Sequence, residues 1–495
     1  MSESFRNLDS PNGLTMKTRL LLFCVALSSI INAQDYNQWS EHFGARASLL
    51  GGAASAGLGD NATVYYNAAA MTFVENPSMS ISVNAYRVRN LKLTDALGDG
   101  INLKNTQFST APNLIAGIVE LKKRKRLRLG YAVITRRSFS GKFDNLYQAS
   151  YDILSTTVGE ENFVASYNYQ YQLSEYWAGF GISYRLSDSW SIGLAHYGIY
   201  RDVKNTIAHS TSVLPNDGST GDVASVSTNI TFNYWNVKGV FKPSIALSVE
   251  NFKFGIVATL PSFNIMGKAS IYRDYSIINL DELIGTDVTF IDRADGVKAI
   301  HKENGSLAIG VSWRLGKKAW LHFTNETFFG GKYYLLFNPE QSPSVYPTTI
   351  ADSTTYRYFG DQNFLAYGEE SEARTNIGIG LETKIAKRWD LYLGARTDFL
   401  FNERPYYDFR RVGVESSKWN LYHLSMGLVH LNKKNKKYTV GFEYGFSPKT
   451  PYYRVLDFKT PTVQNGLIGY GGFDASAKQF SFKLLLEIEI GGEKH

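Results

Sequence analysis

Beyond Pro77 the chain breaks into stretches of about ten to fifteen residues in which apolar and polar side chains alternate. That is the period-two pattern of a strand with one face in lipid and the other toward a lumen. Near 78 to 92, Met79, Ile81, Val83 and Ala85 interleave with Ser80, Ser82 and Asn84; further strands are expected near 111 to 121 and 127 to 140. Near 372 to 386, Ile377, Ile379, Leu381 and Ile385 interleave with Asn376, Gly378, Gly380, Glu382 and Lys384. At the far end Phe480, Phe482, Leu484, Leu486, Ile488 and Ile490 interleave with Ser481, Lys483, Glu487 and Glu489. A charge at nearly every second position is costly inside a soluble sandwich core, whereas a watery lumen accommodates it.

Short turns fall near 122–126, 187–189, 250–252, 316–318, 386–388 and 432–437. Longer polar segments separate them, near 93–110, 141–170, 204–230, 273–302, 337–371, 403–416 and 447–475. Seven hairpins joined by six short turns predict an all-β fold, a 14-stranded antiparallel transmembrane β-barrel over residues 78–495 with both ends on the short-turn side. Trp190, Trp320 and Trp389 each stand just after a short turn, where an aromatic girdle belongs. A secreted all-β sandwich or repeat is the competing architecture, and the long-short loop rhythm weighs against it.

The first 33 residues read as a secretory signal: Met16-Lys17-Thr18-Arg19 is followed by the apolar run Leu20 to Ile31, with cleavage expected after Ala33. Met16 offers a second start. Cys24 is the only cysteine and lies in that run, so a processed chain has no thiol for disulfides or catalysis. Leu21-Leu22-Phe23 lacks the small residues that precede a lipidated cysteine. After residue 33 no apolar span of roughly twenty residues exists to form a membrane helix.

Residues 34–77 fit neither the signal nor the strands. Gly51 to Gly57, GGAASAG, can pack closely or bend sharply but buries too little area to make a core of its own. This segment is expected to be a plug inside the barrel, with Gly51, Gly52, Gly57 and Gly59 supplying flexibility. The formal net charge of +7 concentrates in short turns such as Lys122 to Arg126 and Lys433 to Lys437, which suits hairpin tips among lipid headgroups rather than nucleic-acid recognition.

Catalytic chemistry is not legible. The eight histidines are scattered without metal-site spacing, and no nucleophile elbow or phosphate loop occurs. The glycine-rich run from Gly466 and the segment Asp292 to Gly296 read as turns. No cofactor and no metal site is expected. A barrel enzyme would need a Ser/His/acid set on facing lumen strands, an arrangement that a linear sequence does not display.

The export signal, the small-residue segment Gly51 to Gly57 with Asp60-Asn61-Ala62, the motif Tyr65-Tyr66-Asn67-Ala68-Ala69-Ala70-Met71 and the strand plan together resemble the FadL family of outer-membrane transporters for long-chain fatty acids and other hydrophobic compounds. Members usually carry Asn-Pro-Ala where this chain has Asn67-Ala68-Ala69; the missing proline relaxes φ at that point and at the residue before it. The resemblance implies a Gram-negative outer membrane and a hydrophobic small molecule captured among the loops, passed to a pocket against the plug and released sideways through an inward kink of the third strand. The matching region is Thr135 to Gly141, where alternation collapses into polar residues; Arg136, Arg137, Ser138 and Gly141 are the candidate residues of that exit. The alternative role is that of a FadL-like barrel serving as a structural or accessory subunit of a larger outer-membrane secretion or assembly complex, with membrane-protein partners held by long aromatic loops.

Overall fold

A computed structural model describes residues 37–491 except 76–77, 122, 217–222, 281–286, 340–365, 400–418, 433–435, 455 and 470. The signal segment 1–33, Met16 and the cleavage point lie outside the described residues, as does most of the segments 337–371 and 403–416.

Fourteen strands make a closed antiparallel wall. They are β1 (Ser78–Thr94), β2 (Leu103–Glu120), β3 (Leu127–Tyr151), β4 (Glu161–Arg185), β5 (Trp190–Leu214), β6 (Ala224–Val249), β7 (Phe252–Thr259) and β8 (Ser306–Leu315). After these come β9 (Ala319–Phe328), β10 (Arg374–Ala386), β11 (Trp389–Asp398), β12 (Leu421–Leu431), β13 (Lys437–Phe446) and β14 (Gly472–Gly491). Closure is made by β14, which pairs with β13 through Val440↔Leu486 and with β1 through Ile81↔Ile488. Side chains sort as the alternation requires. Phe482 and Ile488 of β14 stand 40% and 46% exposed on the outer face, while Lys483 and Glu487 between them are buried in the lumen. Burying charge inside and presenting hydrophobic groups outside inverts the rule for soluble proteins and is the surface a barrel shows to lipid.

The expected polar loops 93–110, 141–170, 204–230 and 273–302 are corrected in large part. They are strand. β3, β4 and β5 each run 25 residues and β6 runs 26, and the strands Phe263–Ile278 and Val288–Lys298 continue β7 and β8 past interruptions at 260–262 and 299–305. At about 3.3 Å per residue such strands reach about 80 Å, far beyond a hydrocarbon layer of about 30 Å. Their polar, Tyr- and Thr-rich composition reads as loop because neither face meets lipid, yet the inner face is apolar. Phe163, Tyr169, Val213, Val226, Phe232 and Tyr234 are buried in one cluster with Leu97, Ile101, Phe458 and Leu467 from the connecting segments. The extension is therefore packed solid.

Residues 37–75 lie inside the wall and are almost entirely buried. They form two short helices, α1 (Ala45–Leu49) and α2 (Thr63–Tyr66), and a 3-10 turn (Ala68–Phe73). Their hydrogen bonds reach strands on all sides: Trp39 N to Asp398 Oδ1 (2.8 Å) on β11, Ala45 N to Glu487 Oε2 (2.7 Å) on β14, Ser55 N to Thr324 Oγ1 (3.2 Å) on β9, and Ala69 N to Ser244 Oγ (3.0 Å) on β6. The wall meets this segment with glycine. A Cβ on Gly193 would sit 2.3 Å from Ala69 N, on Gly255 2.1 Å from Ser55 O, on Gly310 2.3 Å from Ala56 N and on Gly378 2.1 Å from Gly51 O. Small residues on both sides let backbone lie against backbone, which is how a segment without a core of its own is held.

Candidate functional site

The wall is not uniformly closed. β2 and β3 pair from Glu120↔Arg128 up to Leu114↔Ile134, and there the ladder ends. Above it β2 pairs with β1, and β3 pairs with β4 as far as Tyr151↔Glu161. Two local features fall at the first missing rungs. Pro112 of β2 has no N–H to donate, and β3 bulges at Arg136, where its register against β4 shifts between Thr135 and Arg137. Higher up, side chains replace the ladder: Asn105 Nδ2 donates to Lys142 O (2.8 Å) and Ser140 N to Gln107 Oε1 (3.4 Å). Between these levels the strands are separated by a small cavity of about 10 Å3 lined by Glu41, Asn84, Arg87, Ser109, Thr135 and Ser138.

Behind that opening lies a cavity of about 60 Å3 between the plug and the wall. Its lining includes Ser40 and Glu41 of the plug, Arg87 and Arg89 of β1, and Arg136, Arg137, Ser138 and Phe139 of β3. Arg136 Nη1 donates to Gln38 O (3.0 Å), and its guanidinium lies 5.7 Å from the Phe43 ring centroid and 5.8 Å from that of Trp177. Arg137 Nη2 donates to Gln38 Oε1 (2.6 Å). Three of the four expected exit residues thus meet at one place. Gly141 does not join them; it pairs with Tyr171 in the continuous β3–β4 ladder.

Arg87 and Arg89 escape the sequence pattern for a definite reason. Below Asn84 the even-numbered residues of β1 face inward, as the buried Ser80 and Ser82 show. A bulge between Asn84 and Tyr86 shifts the phase, so Tyr86 turns outward while Arg87, Arg89, Leu91 and Leu93 turn in. The signal that could have pointed here is Pro112, a proline inside an otherwise regular strand.

The motif residues seat against β4 to β7 and do not line this cavity. Asn67 is fully buried and donates through Nδ2 to Ser55 O (2.8 Å) and to Ile245 O of β6 (3.2 Å), so it ties one plug turn to another and both to the wall. Ala68 opens the 3-10 turn, and Ala69 is held by both its N–H and its carbonyl, which accepts from Ser191 Oγ at 2.7 Å. Gly51, Gly52, Gly57 and Gly59 all have φ between 63° and 86°, left-handed turns that other residues adopt at a cost.

Two ionic clusters stand inside the barrel, and the first joins plug and wall. Glu443 of β13 accepts from Arg396 Nη1 (2.6 Å) and Nη2 (2.9 Å), lies 3.1 Å from His423 Nδ1, and pairs with Lys483 at 3.0 Å. Arg396 and Lys483 then donate to the plug carbonyls of Trp39 and Ser40. Burial would raise the Glu41 carboxyl, but Arg87 and Lys483 overrule it and hold it below the usual carboxylate range. Burial, reinforced by Arg396, keeps His42 well below the usual histidine range, so it stays neutral against Tyr66 Oη. The second cluster brings Glu175, His301 and Glu303 within metal-binding reach of one another. Lys238 already stands among them, its Nζ bonded to His301 and 2.9 Å from Glu303 Oε1, and Arg201 Nη1 lies 3.0 Å from Glu175 Oε2. The positive charge a metal ion would bring is present as side chains, and the cluster reads as an ion-pair network.

No family model matches the chain, and no curated protein matches it. Solved structures do. A FadL homologue from Pseudomonas aeruginosa superimposes with a TM-score of 0.56 at 10% identity, over 91% of this chain and 99% of the other. The chain has the FadL-type fold. The toluene transporter TodX of P. putida aligns with a TM-score of 0.51 at 11% identity over 92% of this chain and 100% of its own, and the toluene transporter TbuX of Ralstonia pickettii with 0.50 at 11% over 91% and 98%. At such identities the FadL-type likeness is one of architecture, and what this barrel carries has to be argued from its own residues.

Proposed function

We propose that the protein is a passive outer-membrane transporter that takes up hydrophobic compounds, long-chain fatty acids among them, into a Gram-negative cell and releases them sideways between β2 and β3. The observation that carries this reading is the coincidence of a broken ladder with a cavity. The wall loses its pairing at the rung where Pro112 and the Arg136 bulge stand, and the space between plug and wall reaches that same rung. An apolar solute leaving there enters lipid directly and never crosses an aqueous phase. The plug, seated backbone to backbone on wall glycines and tethered by Asn67, blocks the straight route along the axis. Channels for toluene and a FadL homologue share this architecture, which supports the same class of cargo.

A second role draws on a different observation. The extension beyond the membrane is filled by an apolar core built from β3 to β6 and the segments around Leu97 and Phe458, which suits a rigid platform for a secretion or assembly partner. Uptake into proteoliposomes tests the main reading. Vesicles holding the protein should accumulate a radiolabelled long-chain fatty acid or toluene at least tenfold faster than empty ones, while sucrose stays excluded from both. Equal entry of sucrose would make the barrel an aqueous pore, and no acceleration of either apolar probe would reject uptake.

A further inference from the structure

The short turns on the periplasmic side do not share charge evenly. Lys123 to Arg126 in the β2–β3 turn, Lys317 and Lys318 in the β8–β9 turn, and Lys387 and Arg388 in the β10–β11 turn are all exposed. The β12–β13 turn continues the series in sequence with Lys433, Lys434 and Lys436. The other two turns, Ser187-Asp188-Ser189 between β4 and β5 and Glu250-Asn251 between β6 and β7, hold an exposed carboxylate each and no base.

The order of strands collects these charges on one arc. Going round the wall, the β8–β9, β10–β11 and β12–β13 turns are followed by the ends of β14 and β1 and then by the β2–β3 turn, since β14 pairs with β13 and β1, and β1 with β2. The β4–β5 and β6–β7 turns make up the rest of the rim. Two carboxylates near the basic arc are engaged already: Glu120 lies 3.7 Å from Arg128, and Glu489 lies 2.9 Å from Lys437.

Depth decides what such an arc meets. Arg388 is directly followed by Trp389, which is exposed on the outer face, and the β2–β3 and β8–β9 turns adjoin the exposed Leu129 and Leu315 in the same way. Turns this short cannot carry their charges far from the apolar edge, so the cations stand at the level of the lipid phosphates. A row of like charge at that level attracts anionic lipid over neutral lipid. An acidic soluble protein would have to reach the same cations through the headgroup layer.

We propose that this arc binds glycerophospholipids with a net negative headgroup, such as phosphatidylglycerol, in the periplasmic leaflet, and that the β4–β7 side of the rim does not. The proposal is independent of what the barrel carries.

The test uses the full-length protein in vesicles of phosphatidylethanolamine and phosphatidylglycerol mixed four to one. A photo-crosslinking phenylalanine analogue replaces Trp389 in one preparation. In another it replaces Trp190, which is exposed in the same way beside the β4–β5 turn. Mass spectrometry of the lipid adducts gives the headgroup ratio next to each position. Adducts at position 389 should be enriched in phosphatidylglycerol at least threefold over the vesicle ratio, and adducts at position 190 should match it. Lys317→Ser, Lys318→Ser, Lys387→Ser and Arg388→Ser together should bring position 389 to the vesicle ratio and leave position 190 unchanged. High salt should do the same, because exposed charges are screened. The vesicle ratio at both positions would overturn the proposal and leave the arc to an acidic soluble partner. Equal enrichment at both positions, or enrichment at position 389 that survives the four substitutions, would also overturn it, as a property of the whole barrel rather than of these cations. Heat-modifiable gel mobility shows that each preparation is folded.

Discussion

At the scale of single residues, the seat of the plug depends on buried charge. Glu443 is the common acceptor for Arg396, Lys483 and His423, and two of these cations pass their remaining donors to plug carbonyls. Replacing Glu443 by Gln leaves Arg396 and Lys483 buried with much of their counter-charge gone, a change of the class that costs about 3–5 kcal/mol. We expect a lower unfolding temperature and faster proteolysis near Trp39; an unchanged melt would mean the cluster does not hold the plug. Ala68 makes the opposite case. Its N–H has no backbone acceptor among the described residues, it opens a 3-10 turn, and Asn67 before it is already extended at φ −159° and ψ 93°. Ala68→Pro therefore removes no backbone hydrogen bond and restores the motif of the FadL-type proteins, with an expected gain of about 0.4–1 kcal/mol read as a slightly higher unfolding temperature. Ala69→Pro would instead delete the bond to Ser244 and destabilise. His42 adds a pH term: its folded value lies below the usual 6.5, so the unfolded chain binds the proton more readily. Stability from this group is present above that range and is lost as pH falls through it.

At the scale of elements, fit between plug and wall is set by the absence of side chains. Gly378→Val would drive a branched side chain into Gly51 O, so the plug has to shift. We expect the barrel to insert and retain its heat-modifiable mobility while the segment around Gly51 becomes protease-sensitive; full protection would show that the glycine contacts are not required. The strands, their order and the short turns were legible in the sequence because lipid on one side and a polar lumen on the other impose strict alternation, as β14 displays from Phe480 to Ile490. What escaped notice has equally physical causes. The wall glycines face the plug, but a glycine at an inward position looks the same whether it meets water or backbone. Arg87 and Arg89 were hidden by a bulge that reverses the inward phase of β1. The long extensions of β3 to β6 have the composition of loops, since their outer face lies beyond the lipid and carries polar residues. The end of the β2–β3 ladder was partly visible: the polar run at Thr135 to Gly141 includes Arg136 to Ser138, which lie where the ladder is missing, while Gly141 belongs to the continuous β3–β4 ladder.

At the scale of the molecule, the barrel combines a solid outer extension, a tightly seated plug and an interrupted β2–β3 seam beside a cationic, partly apolar cavity. Backbone and ion pairs fill the axial route, and on the proposed reading a solute that reaches the cavity leaves through the seam. Closing that seam reversibly is the most direct trial. A Ser109→Cys, Ser138→Cys variant places two thiols around the small cavity at the opening, in a processed chain expected to have no other thiol. Joined by a short cleavable bis-thiol reagent, this variant in proteoliposomes should lose nearly all accelerated uptake of a labelled hydrophobic probe and regain it when the link is cleaved. Undiminished uptake with the link fully formed would contradict release between β2 and β3.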